Sequence, residues 1–91
     1  MFNKLKQFKD LRSKAKTMQD ALAEEKVTEE KGGVKITMNG NMEILSVNIE
    51  SGLTKEVIET SVKNAVNETI KKAQRLMAKK LQDMGGFPGL N

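Results

Sequence analysis

The spacing of apolar residues changes twice along this chain, and this change restricts the fold more than any single motif does. Over residues 2–25 an apolar side chain recurs every three or four positions, which is the spacing of one helix face. Over residues 34–49 the spacing becomes two, as in half-buried strands. Beyond residue 54 the helical spacing returns. The chain is therefore expected to form a helix, then a sheet, then a second helix.

The apolar residues define the faces that we expect to be buried. The first helix carries Phe2, Leu5, Phe8, Leu11, Ala15, Met18 and Leu22. The alternating residues of the sheet are Val34, Ile36, Met38, Leu45, Val47 and Ile49. The closing helix carries Ile58, Val62, Ala65, Val66, Ile70, Ala73, Met77, Leu81 and Met84.

Two pairs of turn-forming residues divide the middle segment into three strands. Gly32-Gly33 follows a first strand over residues 26–31, whose many charges are typical of a protected sheet edge. Asn39-Gly40 predicts a tight type I′ hairpin turn between the other two strands. The expected fold is α+β, in the order α-β-β-β-α, with a three-stranded antiparallel sheet flanked by two long helices.

The closing helix has clear ends and an unusual length. Thr54 is the expected N-cap, Glu56 lies where the helix dipole favours an acid, and Gly85-Gly86 ends the helix. About 30 residues give a rod of about 45 Å, which is longer than three strands can cover. We therefore expect one domain over residues 1–84, a flexible tail over residues 85–91, and a partner subunit that covers apolar surface left by the thin core.

Positive charge is concentrated at both ends of the chain. Residues 1–16 have six basic residues and one acid, residues 17–50 are net acidic, and residues 71–80 have five basic residues and no acid. On a helical wheel, most of the second group forms one stripe opposite the apolar face. The candidate contacts with a polyanion are Lys6, Lys9, Arg12, Lys14, Lys16, Lys71, Lys72, Arg75, Lys79 and Lys80.

The residue inventory argues against catalysis, metal binding and membrane insertion. The chain has no His and no Cys, so the common catalytic base, the thiol nucleophile and the thiolate ligand are missing. The acidic pairs Glu24-Glu25 and Glu29-Glu30 are interpreted as solvated. No apolar run approaches the roughly 18 residues that a bilayer requires. We expect a non-enzymatic cytoplasmic protein with no cofactor, no metal and no small-molecule substrate.

Several segments in order resemble the YbaB/EbfC family of nucleoid-associated proteins. They are the Met-Phe-Asn-Lys start, a first helix ending in Met18-Gln19, the Val27-Thr28 strand, residues 34–40, the Val47-Asn48-Ile49 strand, the long closing helix and the Gly-Phe-Pro-Gly-Leu tail. The chain departs from many relatives in having Glu50-Ser51 where they have Asp-Pro, so its DNA preference need not match theirs.

This resemblance implies a bacterial homodimer built around the two sheets, with helices that project like the arms of tweezers. It also implies a place in the nucleoid and binding to double-stranded DNA with little sequence specificity. Lys side chains act on phosphates as point charges, whereas base readout uses bidentate Arg or suitably placed Asn or Gln, and the chain has only two arginines, Arg12 and Arg75. Contact with the DNA backbone is therefore the expected mechanism.

Three other interpretations of the basic helices remain open from the sequence. The lysines are consistent with a simple solvated helix face, since basic helix faces are common. The long amphipathic helices also suit a protein-interaction adaptor without catalysis. A basic amphipathic first helix on anionic lipid is less favoured, because Lys4 interrupts its apolar stripe and Trp is absent.

Overall fold

The protein has two long helices and one small sheet. The computed structural model describes the backbone of residues 2–85 and the side chains of residues 6–85. Its elements are α1 (Phe2–Ala23), β1 (Lys26–Lys31), β2 (Val34–Asn39), β3 (Ile44–Ile49) and α2 (Lys55–Asp83). This order confirms the predicted α+β fold. Apart from Gly85, the predicted tail lies outside the described residues.

The three strands form an antiparallel sheet in the order β1-β2-β3, so the charged β1 is an edge strand, as predicted. Gly32 and Gly33 both have positive φ, 54° and 86°, and they connect β1 to β2 in a two-residue turn. Residues that have a side chain rarely adopt positive φ, which explains why both turn positions are glycine.

The predicted tight turn at Asn39-Gly40 is wrong. Among the described residues of this loop, only Met42 has positive φ, and β3 begins at Ile44. The buried Asn39 side chain instead accepts hydrogen bonds from the backbone amides of Asn41 (2.9 Å) and Glu43 (3.1 Å). The Gly40 amide donates to the carbonyl of Leu22 at 2.9 Å. A longer loop therefore forms here, and it fastens the end of α1 to the sheet.

One face of β2 is the centre of the core. Val34, Ile36 and Met38 are fully buried there against α2. The side of α2 nearest the sheet consists of small residues four positions apart, which let the helix approach closely. These buried residues are Ser61, Ala65, Thr69 and Ala73. The Thr69 hydroxyl is satisfied by the Ala65 carbonyl at 2.6 Å, so it is buried without an unpaired polar atom.

α1 extends away from this core. Of its described side chains only Met18 and Leu22 are buried, whereas Phe8 is 65% exposed and Leu11 is also exposed. The molecule is 63 Å long but only about 19 Å thick. The expectation that the whole apolar stripe of the first helix is buried is therefore wrong for the described part of a single chain, because Phe8 and Leu11 on its outer half are exposed. The side chains of Phe2 and Leu5 lie outside the described residues.

β3 also differs from the expected half-buried strand. Val47 pairs with Ile36 and Ile49 pairs with Val34, which places both on the core face of the sheet. They remain 49% and 47% exposed because α2 covers β1 and β2 but makes few contacts with β3. Ile44 and Leu45 are exposed to a similar extent. One chain thus leaves an apolar strand at the edge of its sheet.

Candidate nucleic-acid interface

The five basic residues of α1 whose side chains the structure describes lie on the outer half of the helix, where every described side chain is exposed. All are exposed, and within residues 6–85 none forms an ion pair. They are Lys6, Lys9, Arg12, Lys14 and Lys16. Their side chains follow the helix on the faces beside and opposite its apolar stripe. This outer half of α1, residues 6–16, is hereafter called the basic arm.

The basic residues of α2 are divided by the fold into paired and unpaired cations. Lys71 lies 3.4 Å from Glu68, Lys72 lies 2.6 Å from Glu29, and Lys80 lies 2.8 Å from Glu25. Arg75 and Lys79 are exposed, and neither forms an ion pair within the side chains described. The predicted stripe of cations is therefore not uniform, although the sequence places no acid within it.

The antiparallel course of α2 along β1 explains two of these pairs. The Lys72 ammonium also donates to the Thr28 carbonyl of β1 at 3.3 Å, so Lys72 leans toward the sheet. Four residues of strand and eight residues of helix each advance about 12–13 Å, which matches the spacing of the two acids to that of the two lysines. The two pairs, Lys72–Glu29 and Lys80–Glu25, are hereafter called the side clasps.

Of the four neighbouring acids that the sequence predicts to be solvated, two belong to the side clasps. Glu24 and Glu30 are exposed and unpaired among the described side chains, which agrees with a solvated role. For Glu25 and Glu29 that interpretation is wrong. No sequence signal identifies these two acids, because their partners lie more than 40 positions away and depend on the alignment of α2 with β1.

In each side clasp, the ion pair shifts the pKa of one group so that its charged form is favoured. Lys72, chiefly through its hydrogen bond, holds the pKa of Glu29 below its ordinary value. The hydrogen bond that the Lys80 ammonium donates to Glu25 raises the pKa of Lys80. Both shifts favour the charged form, so Glu29 and Lys80 are charged at neutral pH.

Other kinds of site have little support in the described residues. Within residues 2–85 no helix is long and apolar enough to cross a membrane. The described side chains also contain no group of three acidic, His or Cys residues that could hold a metal ion.

The fold and the arrangement of charge define a small α+β protein whose long helices carry exposed cations. Over residues 1–87 the sequence matches the YbaB/EbfC DNA-binding family, and the chain belongs to this family. The identification made from the sequence is thereby confirmed.

Similar proteins occur in several bacteria and are each described as a nucleoid-associated protein. A relative from Nitrobacter hamburgensis is 35% identical, with 94% of this chain and 87% of the relative aligned. One from Syntrophobacter fumaroxidans is 32% identical, with 98% and 89% aligned. One from Bartonella bacilliformis is 36% identical, with 97% and 88% aligned.

Proposed function

We propose that this protein is a nucleoid-associated homodimer that binds double-stranded DNA through phosphate contacts with little sequence specificity. Family membership and the names of the relatives support DNA binding in the bacterial nucleoid. The observation that carries the mechanism is the basic arm, whose five cations are exposed and unpaired within the described chain. Such cations can neutralise phosphates without breaking an internal ion pair.

The second copy in this proposal packs on β3. This strand exposes backbone donors and acceptors along its free edge and four apolar side chains. Because Lys72 faces β1, the opposite flank of α2 faces the β3 side of the sheet. That flank carries Val62, Val66 and Ile70, which are only partly buried. A second copy would cover this continuous apolar surface, which a single chain leaves in water.

Contact with phosphates follows from the chemistry of the arm. Four of its five cations are lysines, which bind phosphate as point charges and distinguish bases poorly. Dimerisation doubles the number of arms. Arg75 and Lys79 add unpaired charge on α2, whereas Lys71, Lys72 and Lys80 must first exchange a carboxylate for a phosphate.

A salt titration tests this function directly. Fluorescence anisotropy is measured with two duplexes of equal length and unrelated sequence. If roughly six to eight phosphates are neutralised per dimer, log K falls with log salt at a slope of about −5 to −7 for both duplexes. Absence of binding to both duplexes at low salt would refute the proposal, and a strong preference for one would refute its lack of specificity.

Two variants locate the binding surface. Lys9→Ala combined with Arg12→Ala removes four cations per dimer, so the slope should become shallower by about 3 to 4. The control is Lys55→Ala, which removes an exposed lysine at the far start of α2 that is already paired with Glu59. An equal loss of affinity for each cation removed in the two variants would contradict a role for the basic arm.

The exposed Phe8 and Leu11 favour an adaptor as the second candidate function, because an uncovered apolar stripe suits a helical protein partner. Phe8→Ser with Leu11→Ser would then abolish capture of that partner while DNA binding persists. If the arm acts only on DNA phosphates, the charge variants should have the larger effect.

A further inference from the structure

The side clasps place carboxylates where the proposed function requires phosphates. Glu29 lies 2.6 Å from the ammonium of Lys72, and Glu25 lies 2.8 Å from that of Lys80. Each is at the distance of a charge-assisted hydrogen bond, the same kind of bond that a DNA phosphate would form. Both lysines are also accessible, with 46% of the Lys72 side chain and 31% of the Lys80 side chain exposed.

We propose that Glu25 and Glu29 are intramolecular competitors of DNA phosphate, and that they set the affinity of α2 for DNA. This inference rests on the proposed DNA binding and adds a restraint on it. A phosphate can engage Lys72 or Lys80 only when the carboxylate leaves. While the clasps are closed, these lysines neutralise no phosphate and add nothing to the salt dependence.

The position of the clasps supports competition over a purely structural role. The packing of α2 on the sheet depends on the fully buried Val34, Ile36 and Ala65. Glu29 pairs with Ile36 across the two strands and so lies at the border of this core, where it still keeps 22% of its side chain exposed. Both pairs are partly exposed, and ion pairs that water reaches contribute little to folding, so opening a clasp leaves the buried apolar contacts in place. Because such ion pairs are weak, the closely spaced phosphates of a DNA duplex can replace the carboxylates.

The sequence offers a matched control beside each acid. Glu24 adjoins Glu25 and Glu30 adjoins Glu29, and both neighbours are exposed and form no ion pair among the described side chains. Glu29→Gln and Glu30→Gln therefore change the net charge equally at adjacent positions. The same holds for Glu25→Gln and Glu24→Gln. A difference within a pair reports the clasp and not the long-range attraction of a more positive protein.

The affinity for one duplex is measured across salt concentrations for these four variants. Glu29→Gln should bind more tightly than Glu30→Gln by roughly 2- to 25-fold, because the two partly exposed Lys72–Glu29 pairs per dimer no longer compete with phosphate. Its salt slope should be steeper by up to about 2, since each wild-type clasp that stays closed on DNA keeps one phosphate from being neutralised. Glu25→Gln should exceed Glu24→Gln in the same way. Far-UV circular dichroism and urea unfolding verify that each variant is folded.

Repeating the comparison in Lys72→Ala protein shows whether the gain in affinity depends on Lys72. In Lys72→Ala protein, Glu29→Gln should give no more gain than Glu30→Gln. Equal affinities and slopes within both pairs, weaker binding by the clasp variants, or a gain that persists without Lys72 would each overturn the inference while wild-type binding still supports the proposed function. Failure of the wild type and every variant to bind would overturn both.

Discussion

Val47→Asp should convert the proposed dimer into a folded monomer. Val47 lies in the middle of β3 on the core face of the sheet and is 49% exposed in one chain. Burying the remaining half of such a side chain contributes about 1 kcal/mol. The four exposed apolar residues of β3 therefore contribute roughly 6–12 kcal/mol over both copies, against an association cost of roughly 4–15 kcal/mol. A balance this close is sensitive to one residue.

The magnitude follows from placing a carboxylate in that surface. Each copy loses about 1 kcal/mol of apolar burial and gains a desolvation penalty of about 1–3 kcal/mol. Over two copies the loss is about 4–8 kcal/mol, so the dissociation constant should rise at least about 10³-fold. Sedimentation equilibrium over a range of protein concentrations measures this change, and circular dichroism verifies that the monomer keeps its fold.

Ser46→Asp is the matched control for this variant. Ser46 precedes Val47 on the same strand and is exposed on the opposite, polar face, where it pairs with Thr37. Ser46→Asp introduces the same charge as Val47→Asp but should leave the dimer intact. A dimer that survives Val47→Asp, or that dissociates equally with Ser46→Asp, would refute packing through the core face of β3.

Three further changes test the fold. Gly40→Ala would place a Cβ 2.8 Å from the Leu22 carbonyl oxygen, so it should lower the urea midpoint and free the end of α1 for faster amide hydrogen exchange. Asn39→Ala leaves backbone amides of the loop without their acceptor and should lower the free energy of unfolding by about 1–3 kcal/mol, measured by urea titration. The pKa of Glu29 is lowered in the folded protein, so the Lys72 pair stabilises above the ordinary carboxyl pKa and is lost as the pH falls; acid titration should therefore destabilise the wild type more than Glu29→Gln.

The sequence predicted the elements well because each has a strong local signal. Alternation at Val34, Ile36 and Met38 identifies the buried face of β2, and the Thr54 hydroxyl caps α2 by accepting from the Val57 amide at 3.2 Å. The side of α2 nearest the sheet was less predictable. Hydrophobicity favours Val62 over Ser61, yet Ser61 is buried and its hydroxyl donates to the Gly32 carbonyl at 3.3 Å.

The interface was predicted only as a set of cations, since their partners depend on tertiary structure. A helical wheel places Lys71, Lys72, Arg75 and Lys79 in one stripe, but it describes one helix and does not include the neighbouring β1. It therefore misses Glu29, which selects Lys72 from that stripe. The four-residue spacing favours a pair between Glu68 and Lys72, but in the structure Glu68 lies 3.4 Å from Lys71.

The division of the cations follows from where the acidic middle segment lies. Residues 17–50 carry most of the acids of the chain, and the fold aligns this segment with α2 through β1. The same segment does not reach the outer half of α1, which extends beyond the sheet. The fold thus pairs three of the cations of α2 with acids, whereas the cations of the basic arm form no ion pair among the described side chains. If the protein binds DNA as proposed, the arm should therefore dominate the affinity and α2 should contribute in proportion to the opening of its side clasps.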